Sequence, residues 1–216
     1  MGLMRAYYDR RAREYDDWYT GEGLFAARER PGWEEERAAL VRLVAGLPPA
    51  RVLDVGCGNG YLTRHLKGRI LGLDQSAAML SVARGRAPRA SWVRGDALAL
   101  PFPDRRFDRV FVAHFYGHLL PDERALFLGE ARAVGTELVV VDAALRGGPP
   151  HDEWQERVLS DGSRHRVFKR FFSAPALLAE LGGGTILHDG HWFLAVTATT
   201  SVSGETMRAA AGGFGD

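Results

Sequence analysis

A short apolar run that opens into alternating glycines constrains this chain more than any other feature. Residues 52–55 are apolar except for Asp54, and Gly56, Gly58 and Gly60 follow at every second position. Such a run is typical of a buried strand, and glycines in the following turn permit positive φ angles and a close approach of the main chain to a ligand. The pattern predicts a strand that presents bare backbone to a nucleotide-like ligand.

Two further apolar runs end beside acids. Asp74 closes the run 70–73 and lies roughly 20 residues beyond the first glycine, where an acid suits ribose hydroxyls. The run 91–94 leads into Gly95 and Asp96. Because open α/β sheets bind ligands at the carboxyl ends of their strands, we expect Asp54, Asp74 and Asp96 to meet at one edge.

The hydrophobic period alternates along the chain between that of strands and that of helices. It predicts strands near 51–56, 70–74, 91–95, 108–113, 137–142, 185–189 and 192–200, and helices near 34–46, 60–67, 76–85, 122–133 and 174–181. The last two strands are separated by Asp189-Gly190, which is typical of a hairpin. This order predicts a doubly wound α/β sheet with helices on both faces.

As a set, these motifs resemble the class I S-adenosylmethionine-dependent methyltransferases of the small-molecule type. The matching pieces are 52–60 as the glycine motif, 71–74 as the ribose motif, 95–97 as the adenine motif and 107–110 at the start of the fourth strand. The resemblance covers residues 50–145 and implies a Rossmann-like, seven-stranded mixed sheet. It also implies that the last strand is antiparallel and inserted between its neighbours.

The cofactor that the resemblance implies is S-adenosylmethionine, with S-adenosylhomocysteine as the product. Asp74 is then expected to hold the ribose, Asp96 the adenine amino group, and Met79 and Leu98 the two faces of the adenine. The full set of predicted cofactor residues is Tyr15, Asp54, Gly56, Cys57, Gly58, Gly60, Asp74, Gln75, Met79, Gly95, Asp96, Ala97, Leu98 and Ala113.

A nicotinamide-dependent oxidoreductase is the rival among nucleotide-binding enzymes. Its fingerprint requires a small residue at the position that opens the helix, which here is Tyr61. A tyrosine there hinders close packing of helix against strand, and the fingerprint gives no role to Asp54 or Asp96. The motif pattern therefore favours the methyltransferase.

Composition is consistent with a single-domain cytoplasmic enzyme. The chain carries 28 Lys and Arg against 27 Asp and Glu, so it lacks the strong positive charge of most nucleic-acid-binding proteins. No apolar segment approaches the ~20 residues of a membrane span, and the N-terminus lacks the apolar core of a secretion signal. Cys57 is the single cysteine, and His151, Asp152, Glu153 and His165 have no recognisable metal spacing. We expect no metal, nucleic-acid or membrane partner, and a monomer or homodimer.

Residues 1–33 precede the common core, which we place at 34–203. Tyr8, Ala12, Tyr15 and Tyr19 fall on one helical face, which indicates either an amphipathic helix packed on the sheet or a helical lid over the cofactor. Aromatic rings in a lid also suit a sulfonium, because a cation is attracted to a ring face. Residues 204–216 are expected to form a flexible tail.

A second addition, residues 144–172, is predicted to form a substrate-side insertion. Its stretch 156–168 is typical of a hairpin that turns at Asp161-Gly162. The basic residues Arg164, Arg166, Lys169 and Arg170 either meet an acidic substrate or form a solvated edge that discourages strand pairing. The residues predicted to contact the acceptor are Tyr8, Tyr19, Trp33 and Arg170.

Methyl transfer requires an acceptor in line with the methyl group, about 3 to 3.5 Å away, and exclusion of water. A hydroxyl or ammonium acceptor also loses a proton, which a base near neutral pKa assists. His114, His118 and Tyr116 are the catalytic candidates, because their loop follows the fourth strand at the ligand-binding edge. We expect methylation of oxygen or nitrogen on a small molecule. The alternatives are a protein or peptide methyltransferase and a cofactor-binding module without turnover.

Overall fold

The computed structural model describes residues 2–147 and 152–200, so the predicted tail lies outside the described residues. The helices are α1 (Gly2–Arg11), α2 (Asp17–Thr20), α3 (Trp33–Gly46), α4 (Ala77–Arg86), α5 (Pro121–Val134) and α6 (Ala174–Glu180). The strands are β1 (Ala50–Val55), β2 (Gly68–Asp74), β3 (Ser91–Arg94), β4 (Phe107–Ala113), β5 (Gly135–Ala143), β6 (Asp152–Val158), β7 (Arg164–Arg170), β8 (Thr185–Asp189) and β9 (Phe193–Thr199). None of these helices is long and apolar enough to cross a bilayer.

Seven strands form one sheet in the order β3-β2-β1-β4-β5-β9-β8. The pairs from β3 through β5 are parallel, whereas β9 is antiparallel to both of its neighbours, β5 and β8. The predicted fold class, including the inserted antiparallel strand, is confirmed. The strand order reverses between β1 and β4, and ligands bind beyond the carboxyl ends of the strands at such a switch point.

The sheet is buried on both faces, as parallel strands between helices require. Along β5, Leu138 and Val140 join a core beneath α5 and α6, whereas Val139 and Val141 join a second core beneath α3. All four side chains are almost fully enclosed. The two cores fix the carboxyl ends of the strands at one edge of the molecule.

The prediction of a helix over 60–67 is wrong. The structure has a turn followed by a single 3-10 turn at Thr63–His65. The Thr63 hydroxyl donates a hydrogen bond to the buried Asp54 carboxylate at 2.6 Å, which ties this segment to β1 instead of letting it form a regular helix. Tyr61, Leu62 and Leu66 are also buried, and they join the core beneath α3.

The N-terminal segment is not one continuous helix. Helix α1 ends at Arg11, a turn follows, and α2 begins at Asp17. The Asp16 carboxylate, within that turn, forms an ion pair with Arg86 and accepts a hydrogen bond from Asn59 Nδ2 at 2.8 Å. These contacts anchor the turn to the glycine loop and to α4, which a helical wheel does not reveal.

Both predicted hairpins are confirmed. Strands β6 and β7 pair antiparallel in a separate two-stranded sheet, with Gly162 at a φ of 79° in the connecting turn. Strands β8 and β9 pair antiparallel across the predicted turn at 189–190, with an irregular register between Ile186 and His188.

Ser76 caps the N-terminus of α4, and its loss is expected to destabilise the fold. Its hydroxyl accepts the Met79 N–H at 3.1 Å and also donates to Asp9 of α1 at 2.5 Å. We expect Ser76→Ala to lower the free energy of unfolding by about 1 kcal/mol, measured by urea denaturation. The control is Ser81→Ala, since Ser81 is exposed within the same helix. Equal stability of the two variants would contradict a stabilising cap.

Candidate active site

The glycine loop adopts the backbone that its sequence predicts. The φ angles are 68° at Gly56, 54° at Gly58 and 77° at Gly60, so positive φ is confirmed at all three. A Cβ atom on Gly56 would lie 2.6 Å from the Phe115 ring, whereas one on Gly58 would meet, among the described residues, the Tyr15 ring alone, at 3.9 Å. Gly56 is therefore required by packing against Phe115, and Gly58 leaves the main chain open towards Tyr15.

Asp74 lies at the end of β2 and links the glycine loop to the start of α4. Its Oδ2 accepts the Gly58 N–H at 2.9 Å, and its Oδ1 accepts the Ser76 N–H at 2.8 Å. Burial raises the pKa of Asp74 above its ordinary value, while these amide donors oppose the shift. Each carboxylate oxygen keeps a further lone pair, so the group can also accept hydrogen bonds from ligand hydroxyls.

The other two strand-end acids occupy different environments. Asp54 is buried at the end of β1 and accepts a hydrogen bond from the Thr63 hydroxyl, and burial raises its pKa to about 7. Asp96 follows β3, and its Oδ1 accepts the Leu98 N–H at 2.9 Å. Asp96 thus shapes the turn 95–98, and Asp54 ties β1 to the segment that follows the glycine loop.

We call the cavity along these strand ends the strand-end cleft. Of the predicted cofactor residues, the cleft is lined by Tyr15, Gly56, Gly58, Asp74, Gln75, Gly95, Ala97 and Leu98. The remaining ones, Asp54, Cys57, Gly60, Met79, Asp96 and Ala113, do not line it. Met79 is buried inside α4, and Gly60 packs against Ala83 and Trp92. Sequence reasoning missed Ser76 and Phe115 as lining residues, although both neighbour motif positions.

A second cavity of about 1020 Å³ adjoins the cleft, and we call it the large cavity. The two share Tyr8, Tyr15, His114 and His118, which form the junction between them. The walls of the large cavity come mainly from the N-terminal segment and from the β6–β7 hairpin. Residues distant in sequence therefore converge on the end of the cleft.

Two of the residues predicted to contact the acceptor line the large cavity, namely Tyr8 and Trp33. The Tyr19 ring is instead buried and stacked on Tyr61, with ring centroids 3.8 Å apart. The Arg170 guanidinium forms an ion pair with Asp152 at 2.7 Å. Tyr19 and Arg170 line neither cavity.

His118 presents a neutral imidazole at the junction. Its Nδ1 lies 2.7 Å from the Phe168 carbonyl oxygen, and a carbonyl only accepts, so Nδ1 carries the proton and Nε2 carries the lone pair. Burial lowers the pKa of His118 well below its ordinary value, and the positive charges of Lys169 and Arg157 lower it further. The side chain is thus held as a base at neutral pH.

His114 and Tyr116 are placed differently. His114 has a φ of 53°, an uncommon and costly conformation for a residue with a side chain, and both of its ring nitrogens are enclosed without a hydrogen-bond partner. Burial lowers its pKa to about 4. The Tyr116 hydroxyl donates to Glu180 at 2.7 Å, and Tyr116 lines neither cavity. Of the three predicted catalytic residues, His118 alone combines a place at the junction with a ring nitrogen that is not enclosed.

Comparisons with known proteins agree with this architecture. A family model described as "Methyltransferase domain" matches residues 52–136. The 2-phytyl-1,4-naphtoquinone methyltransferase of Synechococcus elongatus is 46% identical over 80 residues, which are 32% of this chain and 34% of that protein. The demethylmenaquinone methyltransferase of Thermotoga maritima is 38% identical over 103 residues, which are 45% of this chain and 44% of that protein. These matches span about a third to a half of the curated relatives' length.

A solved structure extends the likeness to almost the whole chain. It is described as "DhpI-SAM-HEP complex", is 30% identical, and superposes with a TM-score of 0.72 over 91% of this chain and 95% of its own. Its match includes the regions that lie outside residues 52–136. On this likeness, and on the glycine loop and strand order described above, the chain belongs to the class I S-adenosylmethionine-dependent methyltransferases.

Proposed function

We propose that this protein transfers the methyl group of S-adenosylmethionine to an oxygen or nitrogen of a small molecule held in the large cavity. The observation that carries the proposal is the junction of the two cavities at Tyr8, Tyr15, His114 and His118. A cofactor along the strand ends and an acceptor in the large cavity would meet there. This is the arrangement that in-line transfer between two bound molecules requires.

The residues of the strand-end cleft fit this cofactor. Asp74 would accept the ribose hydroxyls, the turn 95–98 would border the adenine, and the open backbone at Gly58 would face the amino-acid part. When bound, S-adenosylmethionine supplies a methyl group on a sulfonium sulfur: the acceptor's lone pair forms the new bond to the methyl carbon, and the electrons of the broken C–S bond stay on the sulfur. The rings of Tyr8 and Tyr15 lie at the junction, where aromatic faces favour a positive sulfur.

His118 would receive the acceptor's proton. The Nδ1–H of the neutral ring donates to the Phe168 carbonyl oxygen, so Nε2 is the nitrogen whose lone pair can accept a proton. A hydroxyl or ammonium that becomes methylated has to lose its proton, and a fixed neutral imidazole beside it provides the acceptor for that proton. We assign His114 and Tyr116 no proton-transfer role, since their polar atoms are enclosed or already bonded.

The N-terminal segment would act as a lid over both cavities. It is held by the Asp16–Arg86 ion pair and by the Ser160 N–H, which donates to Glu14 of this segment at 3.0 Å. These polar contacts are at the surface or partly buried and break at modest cost, whereas Tyr7 and Tyr19 of the same segment are buried and would stay in place. Opening at these points would admit ligands, and closure would exclude water.

The acceptor is a small molecule in this proposal because the large cavity is walled on two sides. Its volume of about 1020 Å³ suits a compact organic ligand better than a folded protein surface. Trp18, Phe25, Trp33 and Trp192 give it aromatic walls. Quinol-type rings, suggested by the names of the curated relatives, are one acceptor class to test. Most lining residues lie outside residues 52–136, so the family match does not select among acceptors.

Calorimetry and a turnover panel test this function. We expect S-adenosylmethionine and S-adenosylhomocysteine to bind and NAD to show no binding. Methyl transfer is then measured with phenols, naphthoquinols, amines and carboxylates. NAD binding without S-adenosylmethionine binding would overturn the assignment. Cofactor binding with no turnover on any acceptor, and no slow hydrolysis, would instead support a cofactor-binding module without catalysis.

A further inference from the structure

A buried cation lies in the wall of the large cavity. Arg11, at the end of α1, is 6% exposed and lines this cavity. Its Nη1 donates to the Tyr7 hydroxyl oxygen at 2.8 Å, and its guanidinium carbon lies 4.8 Å from the centroid of the Tyr15 ring. Tyr7, Tyr15 and Tyr8 raise the pKa of Arg11, and its own charge acts on Asp17 and His118. Among the ion pairs of residues 2–147 and 152–200 described here, none includes Arg11. A buried charge normally requires an ionic or strongly hydrogen-bonding partner.

The rest of this guanidinium faces the cavity. Within the described part of the chain, four residues have a fully enclosed side-chain polar atom without a hydrogen-bond partner. They are Trp92, His114, Arg170 and His188. No nitrogen of Arg11 is among them, so the nitrogens that Tyr7 does not engage retain accessible surface. Because Arg11 lines the large cavity and not the strand-end cleft, that surface lies on the acceptor side.

A second guanidinium lines the same cavity from the β6–β7 hairpin. Arg157, on β6, lines the same cavity and donates to Gln155 Oε1 at 2.8 Å. Its charge lowers the pKa values of His118 and Lys169, which places it at the junction end. Lys169 is already paired with Asp142, so its charge is compensated. Arg11 and Arg157 both act on His118, and neither forms an ion pair among the described residues.

The acidic residues that line the cavity are fewer than the basic ones. Glu156 pairs with Arg164, whereas Glu14 accepts a neutral donor, the Ser160 N–H, and keeps its charge. Asp17 and Glu29 lie on the segment after α1 and form no ion pair with Arg11 or Arg157 among the described contacts. Among the described residues, six basic side chains line the cavity against four acidic ones, so its lining carries excess positive charge. The basic ones are Arg11, Arg28, Arg30, Arg146, Arg157 and Lys169.

We propose that the acceptor carries an oxyanion, a carboxylate or a phosphate-type group, that binds between Arg11 and Arg157 and directs the acceptor's nucleophile to His118. Planar guanidinium groups bind such oxyanions through paired, charge-assisted hydrogen bonds. The oxyanion also offsets the positive charge that a sulfonium adds at the junction. This inference rests on the proposed function, because it names the class of acceptor that the same site takes.

The test measures anion binding to the protein loaded with S-adenosylhomocysteine. Benzoate, inorganic phosphate and the neutral analogue benzamide are titrated, and tryptophan fluorescence reports binding through Trp18 and Trp33 in the cavity. We expect benzoate or phosphate to bind at least about tenfold more tightly than benzamide. Arg11→Gln and Arg157→Gln should each remove most of this preference and leave the affinity for S-adenosylhomocysteine within about twofold. Arg28→Gln is the matched control, since Arg28 lines the cavity and is exposed.

Each other outcome contradicts the proposal in a recognisable way. Equal binding of benzamide and both anions, or an equal loss in Arg28→Gln, would show that no anion site exists at the junction. Weaker S-adenosylhomocysteine binding in Arg11→Gln, with anion binding unchanged, would assign Arg11 to the cofactor's own carboxylate. Failure of the unmodified protein to bind S-adenosylhomocysteine would remove the proposed function itself, and this inference with it.

Discussion

Replacing His118 by glutamine is expected to lower the methylation rate by about 10²- to 10⁴-fold. Glutamine keeps a polar side chain of similar reach but does not take up a proton at neutral pH. Because the role proposed for His118 is to take the acceptor's proton, the loss should appear in kcat, with a much smaller change in KM. His65→Gln is the control, since His65 is partly exposed and lines neither cavity. A rate within about threefold of the unmodified protein would remove His118 from the mechanism.

The pH profile gives a second test of the same residue. Burial, Lys169 and Arg157 all disfavour the charged imidazole, so the pKa of His118 lies well below 6.5 and the basic form persists on mild acidification. We therefore expect kcat/KM to hold its value down to pH 6.5 and to fall only below it. His118→Gln should lose this acidic limb, whereas His65→Gln should keep it. An acidic limb centred above pH 6.5 would contradict the assignment.

Replacing Asp74 by alanine is expected to weaken binding of S-adenosylhomocysteine by about 1–3 kcal/mol, which is roughly 5- to 150-fold. The change removes the proposed ribose acceptor and also leaves the N–H groups of Gly58 and Ser76 without their present partners. Asp74→Asn keeps one oxygen acceptor, so its loss should be smaller. The measurement is calorimetric titration of each variant.

The matched control for this series is Asp104→Ala, since Asp104 is exposed and lines neither cavity. Its affinity for S-adenosylhomocysteine should equal that of the unmodified protein. An unchanged affinity in Asp74→Ala would place Asp74 outside the binding site. A loss in Asp104→Ala of similar size would indicate a general effect of charge and not a specific contact.

The fold could be predicted because its signals are local. Apolar periodicity identified the strands and most helices, and turn residues such as Asp161-Gly162 identified the hairpins. The helix expected over 60–67 failed because its outcome depends on a contact across the fold, between the Thr63 hydroxyl and the buried Asp54. Likewise, the break after α1 depends on Asp16 reaching Arg86, which is 70 residues away.

The same distinction applies to the candidate site. Gly56, Gly58 and Asp74 could be identified from spacing alone, because one strand and the turn after it set their positions. The large cavity joins α1, the β4–α5 connection and the β6–β7 hairpin, and no short motif describes that assembly. Arg11 illustrates the limit, since its burial without a described ion pair appears only in the structure. The other buried cations, Arg109, Arg124 and Lys169, each pair with a carboxylate.

A crystal structure of the complex with S-adenosylhomocysteine tests the central claim most directly. We expect the ribose hydroxyls within about 3.2 Å of the Asp74 carboxylate, and the sulfur at the junction, facing the large cavity beside His118. An adenosyl group bound away from the ends of β1, β2 and β3, or a sulfur facing away from the large cavity, would contradict the account.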